Sequence, residues 1–352
     1  MSSITEFFAE HKAKRHLLKE SQKDEVILIE NHRRFVLFPI KYHEVYDAYK
    51  QREALFWTAE ELDFTKDIEN FNGEEISEDE KEYITRLLAL FASNDMDKLN
   101  LTENLSAEVQ IPEAKCFYGF QIMLDNIHQE VYSLIIDAII KDNGKRVSMF
   151  DDLKKLSNIN DKLEYAKTWF ENEDHLFGEK LIAFAAVQGI FSLAAYASIF
   201  SPKGGKLFPG LQKGVQNMFR DRALHTDFQS LMYAHLKHDV DPVVVNRIIT
   251  DAVKIEKASL KDTLPIEKFG LKIAEMEQLI EHVADFLLVS FGAEKEYNVA
   301  NPFPFMEKVA IPGNTNSFAK KVADYHKASD IAQTSTNEKK DGEANFSMTE
   351  DF

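Results

Sequence analysis

An all-α fold is predicted by three features of the 352-residue chain: few turn-forming residues, dense helical periodicity from Arg33 to Phe318, and no convincing run of alternating strand residues. Only 13 Gly and 9 Pro punctuate the chain, which favours long helices joined by short connections. A hydrophobic share of 44%, with 27 Phe, is enough to bury a sizeable core. A single Cys excludes an intrachain disulfide framework and any thiolate-rich zinc or iron–sulfur site. The net charge of -17 argues against a general nucleic-acid binder, whose affinity rests on clustered Lys and Arg.

Residues 1–30 are charged and weakly patterned and form an N-terminal arm; His11 to Arg15 is a small basic cluster of the kind that usually lies on a solvated face. Met1 to Glu10 carries acid and no apolar stretch, so no secretory signal is expected there. A helical domain spans 31–320. Its first strong helix runs from about Glu78 to Asn94, with Ile84, Leu87, Leu88 and Phe91 one turn apart. A second runs from about Glu113 to Lys141, with Phe117, Phe120, Leu124, Val131 and Ile135 on its stripe. A third covers the uncharged run Leu181 to Phe200 and extends back towards His175. Its length sits at the threshold for a membrane span, but flanking amphipathic helices need an apolar partner and Gln188 interrupts the run. The run reads as a buried core helix, so the chain is expected to be soluble with no membrane partner. A fourth helix runs from about Gly210 to His238, and further helices cover 241–259 and 272–292 before Asn301-Pro302-Phe303-Pro304 interrupts the pattern. From about Ser329 the composition reads as disordered, and 321–352 is assigned as a flexible tail. The tail closes on Phe346-Ser347-Met348-Thr349-Glu350-Asp351-Phe352, two aromatic anchors in an acidic context, as a docking peptide requires.

The four stripes share an oddity. Each places a polar or ionisable group where an apolar one is called for: Asp95 on the first helix, Asp125 and His128 on the second, Gln188 on the third, Arg222 and His225 on the fourth. Singly, each reads as a satisfied core polar group. Together, on four helices, they point to one buried polar centre, because such groups are costly unless paired or metal-bound. The order Asp, Asp-x-x-His, Gln, Arg-x-x-His imitates the carboxylate and Glu-x-x-His pattern of a di-iron helical bundle.

At these residues the chain resembles the small subunit of class I ribonucleotide reductase, a ferritin-like helical bundle. Trp57-Thr58-Ala59-Glu60-Glu61, Glu113 to Gln121, Asn126-Ile127-His128, Phe184 to Val187, Gly189-Ile190-Phe191, Asp221 and His225-Thr226-Asp227-Phe228 carry the resemblance in order along most of the chain, with the tail Phe346 to Phe352. The family makes a tyrosyl radical and passes it to a large catalytic subunit, which reduces ribonucleoside diphosphates for deoxyribonucleotide synthesis and DNA replication. By that resemblance the six metal-ligand positions are Asp95, Asp125, His128, Gln188, Arg222 and His225, the second, fourth and fifth of which are glutamates in an ordinary member. The resemblance also places the radical at Tyr132, the relay at Trp57, His128, Asp221 and Tyr325, and the large-subunit contact at Phe346 and Phe352.

Gln188 offers only a neutral carbonyl oxygen, and Arg222 has no lone pair to give. Two ferrous ions here would face the negative charges of Asp95 and Asp125 alone, together with the positive charge of Arg222. A cation about 4 Å from a dication costs about 8 kcal/mol even at an effective dielectric near 20. A normal two-iron cluster is therefore not expected; the chain holds none, or weak, partial iron. Arg222 is expected instead to pair with Asp95 or Asp125.

Asp24-Glu25, Arg33 to Val36, Pro39 to Glu44, Arg220-Asp221-Arg222 and Leu264 to Gly270 resemble the divergent auxiliary small subunits of budding yeasts. The persistence of His128 and His225 and the presence of Gln188 depart from that pattern. The resemblance implies a heterodimer with an ordinary small subunit, which carries the di-iron tyrosyl radical, and docking of the large subunit through the tail. The expected compartment is the cytoplasm, and also the nucleus through a partner. Two alternatives remain: a metal-free radical-generating small subunit, and a redox-inactive helical scaffold with a single-metal site on Asp95, Asp125, His128 and His225.

Overall fold

The computed structural model describes residues 12–93, 100–154, 157–171, 175–262 and 266–308. Among these every regular element is a helix. In chain order the α-helices are α1 (Lys12–Ser21), α2 (His43–Ala54), α3 (Thr65–Asn72), α4 (Glu78–Ser93), α5 (Leu101–Glu108), α6 (Pro112–Ile139), α7 (Asn143–Lys154), α8 (Ser157–Phe170), α9 (Phe177–Gly189), α10 (Leu193–Phe200), α11 (Pro202–Leu207), α12 (Pro209–Ala234), α13 (Pro242–Asp262) and α14 (Ile273–Ser290).

Local chemistry explains several starts. Proline stands at the first position of α6, α11, α12 and α13, where its missing N–H costs nothing and its fixed φ suits the helix. Before α4, Ser77 and Glu80 form a reciprocal capping box: Ser77 N–H donates to Glu80 Oε2 at 2.7 Å, and Glu80 N–H to Ser77 Oγ at 3.3 Å. The N-terminus of α12 is capped from elsewhere. Asp67 on α3 accepts from the N–H groups of Gly210 and Leu211 at 2.8 and 2.7 Å. The approach is close enough that a Cβ on residue 210 would sit 2.2 Å from the Asp63 carbonyl oxygen, so glycine is required there.

Helix α9 is the centre of the bundle. It packs along α12 and also against α13, α8, α14 and α5, while α2 lies along α6. Its side chains are buried all round, apart from partly exposed Lys180 and Gln188, which is why the sequence there is apolar without periodicity. The stretch Phe177–Phe200 is the one described segment long and apolar enough to cross a membrane, and 89% of its most apolar window is buried inside the bundle.

That stretch is not one helix, as its sequence suggests. It breaks at Ile190-Phe191-Ser192, with Ser192 in the left-handed region at φ 64°. The arm is also fastened at its end: Ile27 is in the core, its carbonyl accepts from Gln110 N–H at 2.8 Å, and buried Glu25 accepts from the N–H groups of Lys237 and His238.

Candidate functional site

Helices α6, α9 and α12 bring the unusual polar residues to one level of the bundle, with α2 and Trp57 closing one side. Asp125 and His128 lie one turn apart on α6, with His128 Nδ1 3.9 Å from Asp125 Oδ1. On its other side His128 Nε2 lies 2.9 Å from Asp221 Oδ2 on α12. The same oxygen accepts from Trp57 Nε1 at 2.9 Å, and the Trp57 and His128 rings stack with centroids 5.9 Å apart. Trp57, Asp221 and His128 are thus brought together in one hydrogen-bonded group, and Asp221 is fully buried. Burial alone raises the Asp221 pKa, but the His128 hydrogen bond, with the Arg52 charge and Trp57, outweighs it and holds the carboxyl below its ordinary value.

One turn beyond Arg222, His225 is fully buried with its ring 6.2 Å from Phe117. Neither of its nitrogens has a hydrogen-bond partner among the described residues. Burial, together with the nearby Arg52, His128 and Arg222 side chains, pushes its pKa well below the ordinary histidine value, so it is neutral.

Arg222 does not pair with Asp125, as charge counting suggests, and makes no ion pair among the described residues. Its Nη2 donates to the carbonyl oxygens of Val187 at 2.9 Å and Phe191 at 3.0 Å. In an unbroken helix those oxygens accept from the N–H groups of Phe191 and Ala195. The break between α9 and α10 frees them, and the guanidinium takes both. Gln188 lies between them in sequence, half-buried. The guanidinium also stands over the Tyr196 ring, 5.3 Å from its centroid.

Tyr132 is buried on α6, and its hydroxyl is 3.2 Å from that of Tyr196 on α10. Phe91 stacks on Tyr132 at 5.3 Å and contacts Tyr196 at 4.8 Å. Asp95, Tyr325, Phe346 and Phe352 lie outside the described residues.

Two residues of this centre are not apparent from the sequence. Arg52, whose side chain is fully buried, sits 2.6 Å from Asp221 Oδ1 through Nη2. In the charged stretch Lys50-Gln51-Arg52-Glu53 it looks like an ordinary surface residue. Tyr196 is the only tyrosine in the run Leu181 to Phe200, a faint signal at best.

As a metal site the donor set is poor. Among the described residues no group of three or more His, Cys, Asp or Glu side chains is placed to hold a metal ion. Neutral His225 offers a metal one lone-pair nitrogen, while Arg222 is a fixed cation and Gln188 is neutral. The arrangement does two things well: it keeps a hydrogen-bonded Trp57–Asp221–His128 bridge, and it buries a tyrosine whose hydroxyl is paired to a second tyrosine.

An all-helical bundle with a buried Trp57–Asp221–His128 group and a buried tyrosine pair has the architecture of a ribonucleotide reductase small subunit. The chain matches the family model "Ribonucleotide reductase, small chain" over residues 34–302 and belongs to that family. It is 47% identical to ribonucleoside-diphosphate reductase small chain 2 of Saccharomyces cerevisiae, over 98% of this chain and 99% of that one. It is equally 47% identical to small chain 1 of the same yeast, over 98% of this chain and 86% of that one. Among solved structures it is similar to the ribonucleotide reductase Rnr4 homodimer of Saccharomyces cerevisiae, with a TM-score of 0.82 and 46% identity over 92% of this chain and 100% of that one. The ribonucleotide reductase R2 subunit of Clostridium botulinum, at 18% identity and a TM-score of 0.68 over 77% of this chain and 89% of that one, shares the fold. The protein is a small subunit of an oxidoreductase, ribonucleoside-diphosphate reductase, in the service of deoxyribonucleotide synthesis.

Proposed function

We propose that this chain is an auxiliary small subunit. It pairs with an ordinary small subunit, supports assembly of the di-iron tyrosyl radical in that partner, and docks the large subunit through Phe346 to Phe352. It holds no two-iron cluster of its own.

The observation that carries this reading is the position of Arg222. Where the family uses a carboxylate ligand, this chain has a guanidinium fastened to the carbonyls of Val187 and Phe191. A cation tied to the main chain cannot swing aside for a dication without leaving two carbonyl oxygens unpaired. Gln188 on the adjoining turn removes another negative charge. The Trp57–Asp221–His128 contacts are made by side chains of this chain alone, which suits a subunit that works beside a cofactor-bearing partner. Mixing the chain with an ordinary small subunit, ferrous iron and oxygen tests this: radical yield per ordinary subunit rises on adding this chain. An unchanged yield across the titration contradicts the auxiliary role.

A second reading, a metal-free radical subunit, is favoured by one observation, the buried Tyr132 hydroxyl paired with Tyr196 near a fixed cation. Intact mass and electron paramagnetic resonance of the native protein separate the two. A modified Tyr132 carrying a radical supports the second, and an unmodified, silent Tyr132 removes it.

A further inference from the structure

Arg52 is an expensive residue to keep. Its side chain has no exposed surface, and Nε and Nη1 have no hydrogen-bond partner among the described residues. Nη2 approaches Asp221 Oδ1 to 2.6 Å, but its N–H directions fall out of line, so the contact is an ion pair without an aligned hydrogen bond. A guanidinium buried on such terms is retained for what its charge does to its partner.

Asp221 uses its oxygens unequally. Oδ2 takes both Trp57 Nε1 and His128 Nε2, each at 2.9 Å, while Oδ1 faces Arg52 alone at close range. The terminal torsion of an aspartate is broad, so an unanchored carboxylate rotates and spreads two donors over two oxygens. Holding both donors on one oxygen requires an anchor on the other. Arg220 is not that anchor: it is 3.7 Å from Oδ1, partly exposed, and already donates to the Leu55 carbonyl at 3.1 Å. With Asp221 so held, His128 presents its Nε2–H to the carboxylate, because a carboxylate oxygen only accepts.

We infer that Arg52 is a positioning residue for the relay: through Oδ1 it fixes the Asp221 carboxylate, and so the Trp57 indole and the His128 tautomer, with no metal at His128. The inference rests on the reading above, in which this chain has no cluster to orient His128 from the other side. In charge terms Arg52 and Asp221 neutralise each other, which leaves the triad self-contained in the core.

The test uses the full-length chain, stripped of metal by chelation and checked by metal analysis, so its outcome is independent of whether added iron ever binds. Nitrogen-15 spectra report the Trp57 indole N–H and the His128 ring tautomer, assigned with W57F and H128Q. Wild type shows a single Nε2–H tautomer and a single Trp57 indole signal. In R52Q the Trp57 signal moves and the His128 tautomer ratio shifts at least tenfold towards Nδ1–H; R52K, which keeps the charge, restores both towards wild type. Wild-type signals in R52Q overturn the inference, and so do equal changes in R52Q and R52K, which mean lost packing. R52Q/D221N leaves no unpaired buried charge and covers a failure of R52Q to fold. Its signals match those of D221N if Arg52 acts through the carboxylate, and a difference between the two overturns the inference.

Discussion

Arg222 donates to the main-chain carbonyl of Phe191 at 3.0 Å, across the gap between two consecutive helices. The same nitrogen holds the Val187 carbonyl, so one side chain closes the α9–α10 break. This contact makes the difference from an ordinary small subunit structural as well as electrostatic.

Replacing that cation should therefore cost stability even though it repairs the charge. R222E removes both carbonyl hydrogen bonds and is expected to lower unfolding stability by about 2 kcal/mol, since each lost charged donor costs about 1 to 3. Urea unfolding measures it. Iron content should stay low in R222E, because Gln188 remains neutral, and should rise only in R222E/Q188E.

Tyr196→Phe keeps the ring against Phe91, Phe219 and Arg222 and removes only the hydroxyl that meets Tyr132. The expected loss is about 1 kcal/mol, the net value of one hydrogen bond. Thermal and urea unfolding of Y196F against wild type check it, and no loss would mean that the hydroxyl pair is not formed.

Much of this bundle is legible in the amino-acid sequence. The starts of α4, α6 and α12 can be read within a residue or so, because a capping Ser77 and the prolines at 112 and 209 act locally. Asp125, His128, Arg222 and His225 stand out as breaks in apolar stripes, and the fold brings them to one level. The α9–α10 break is hard to read, because a run buried on every face has no stripe to interrupt. Gln188-Gly189 and Ser192 are its local signs, and its freed carbonyls are satisfied by Arg222, outside the run. Arg52 and Tyr196 escape notice for a related reason. Their roles come from Asp221 and Tyr132, which are far away in sequence and reach them only through the packing of α2 on α6 and α12 and of α10 beside them.

Acid should expose a second buried charge. Glu113 is fully buried, pairs with Arg34 at 2.6 Å and accepts from the N–H groups of Lys41 and Tyr42. Burial raises its pKa, but Arg34 and the two N–H groups outweigh that and hold it below the ordinary value. A depressed folded value means that its contribution is complete above the ordinary glutamate pKa of about 4.3 and is lost as pH falls through the folded value. E113Q should cost about 1 to 3 kcal/mol at pH 7 by removing the charged partner of Arg34, whose Nη2 keeps the Leu37 carbonyl. Unfolding free energies from pH 7 to 3 should show a loss in wild type below about pH 4.3 that is missing from E113Q.

Deleting Asn345 to Phe352 should leave helix content and unfolding unchanged while abolishing association with the large subunit. Sedimentation of the mixed subunits measures this, and undiminished association of the truncated chain would place the contact elsewhere.

On the proposed function, the chain has the fold of a small subunit and no two-iron cluster of its own. Iron content and the electron paramagnetic resonance spectrum of the purified chain alone, after ferrous iron and oxygen, test it most directly. The chain should bind well under one iron and show no tyrosyl radical. About two irons per chain with a tyrosyl radical signal, the loading of a di-iron bundle, would contradict it.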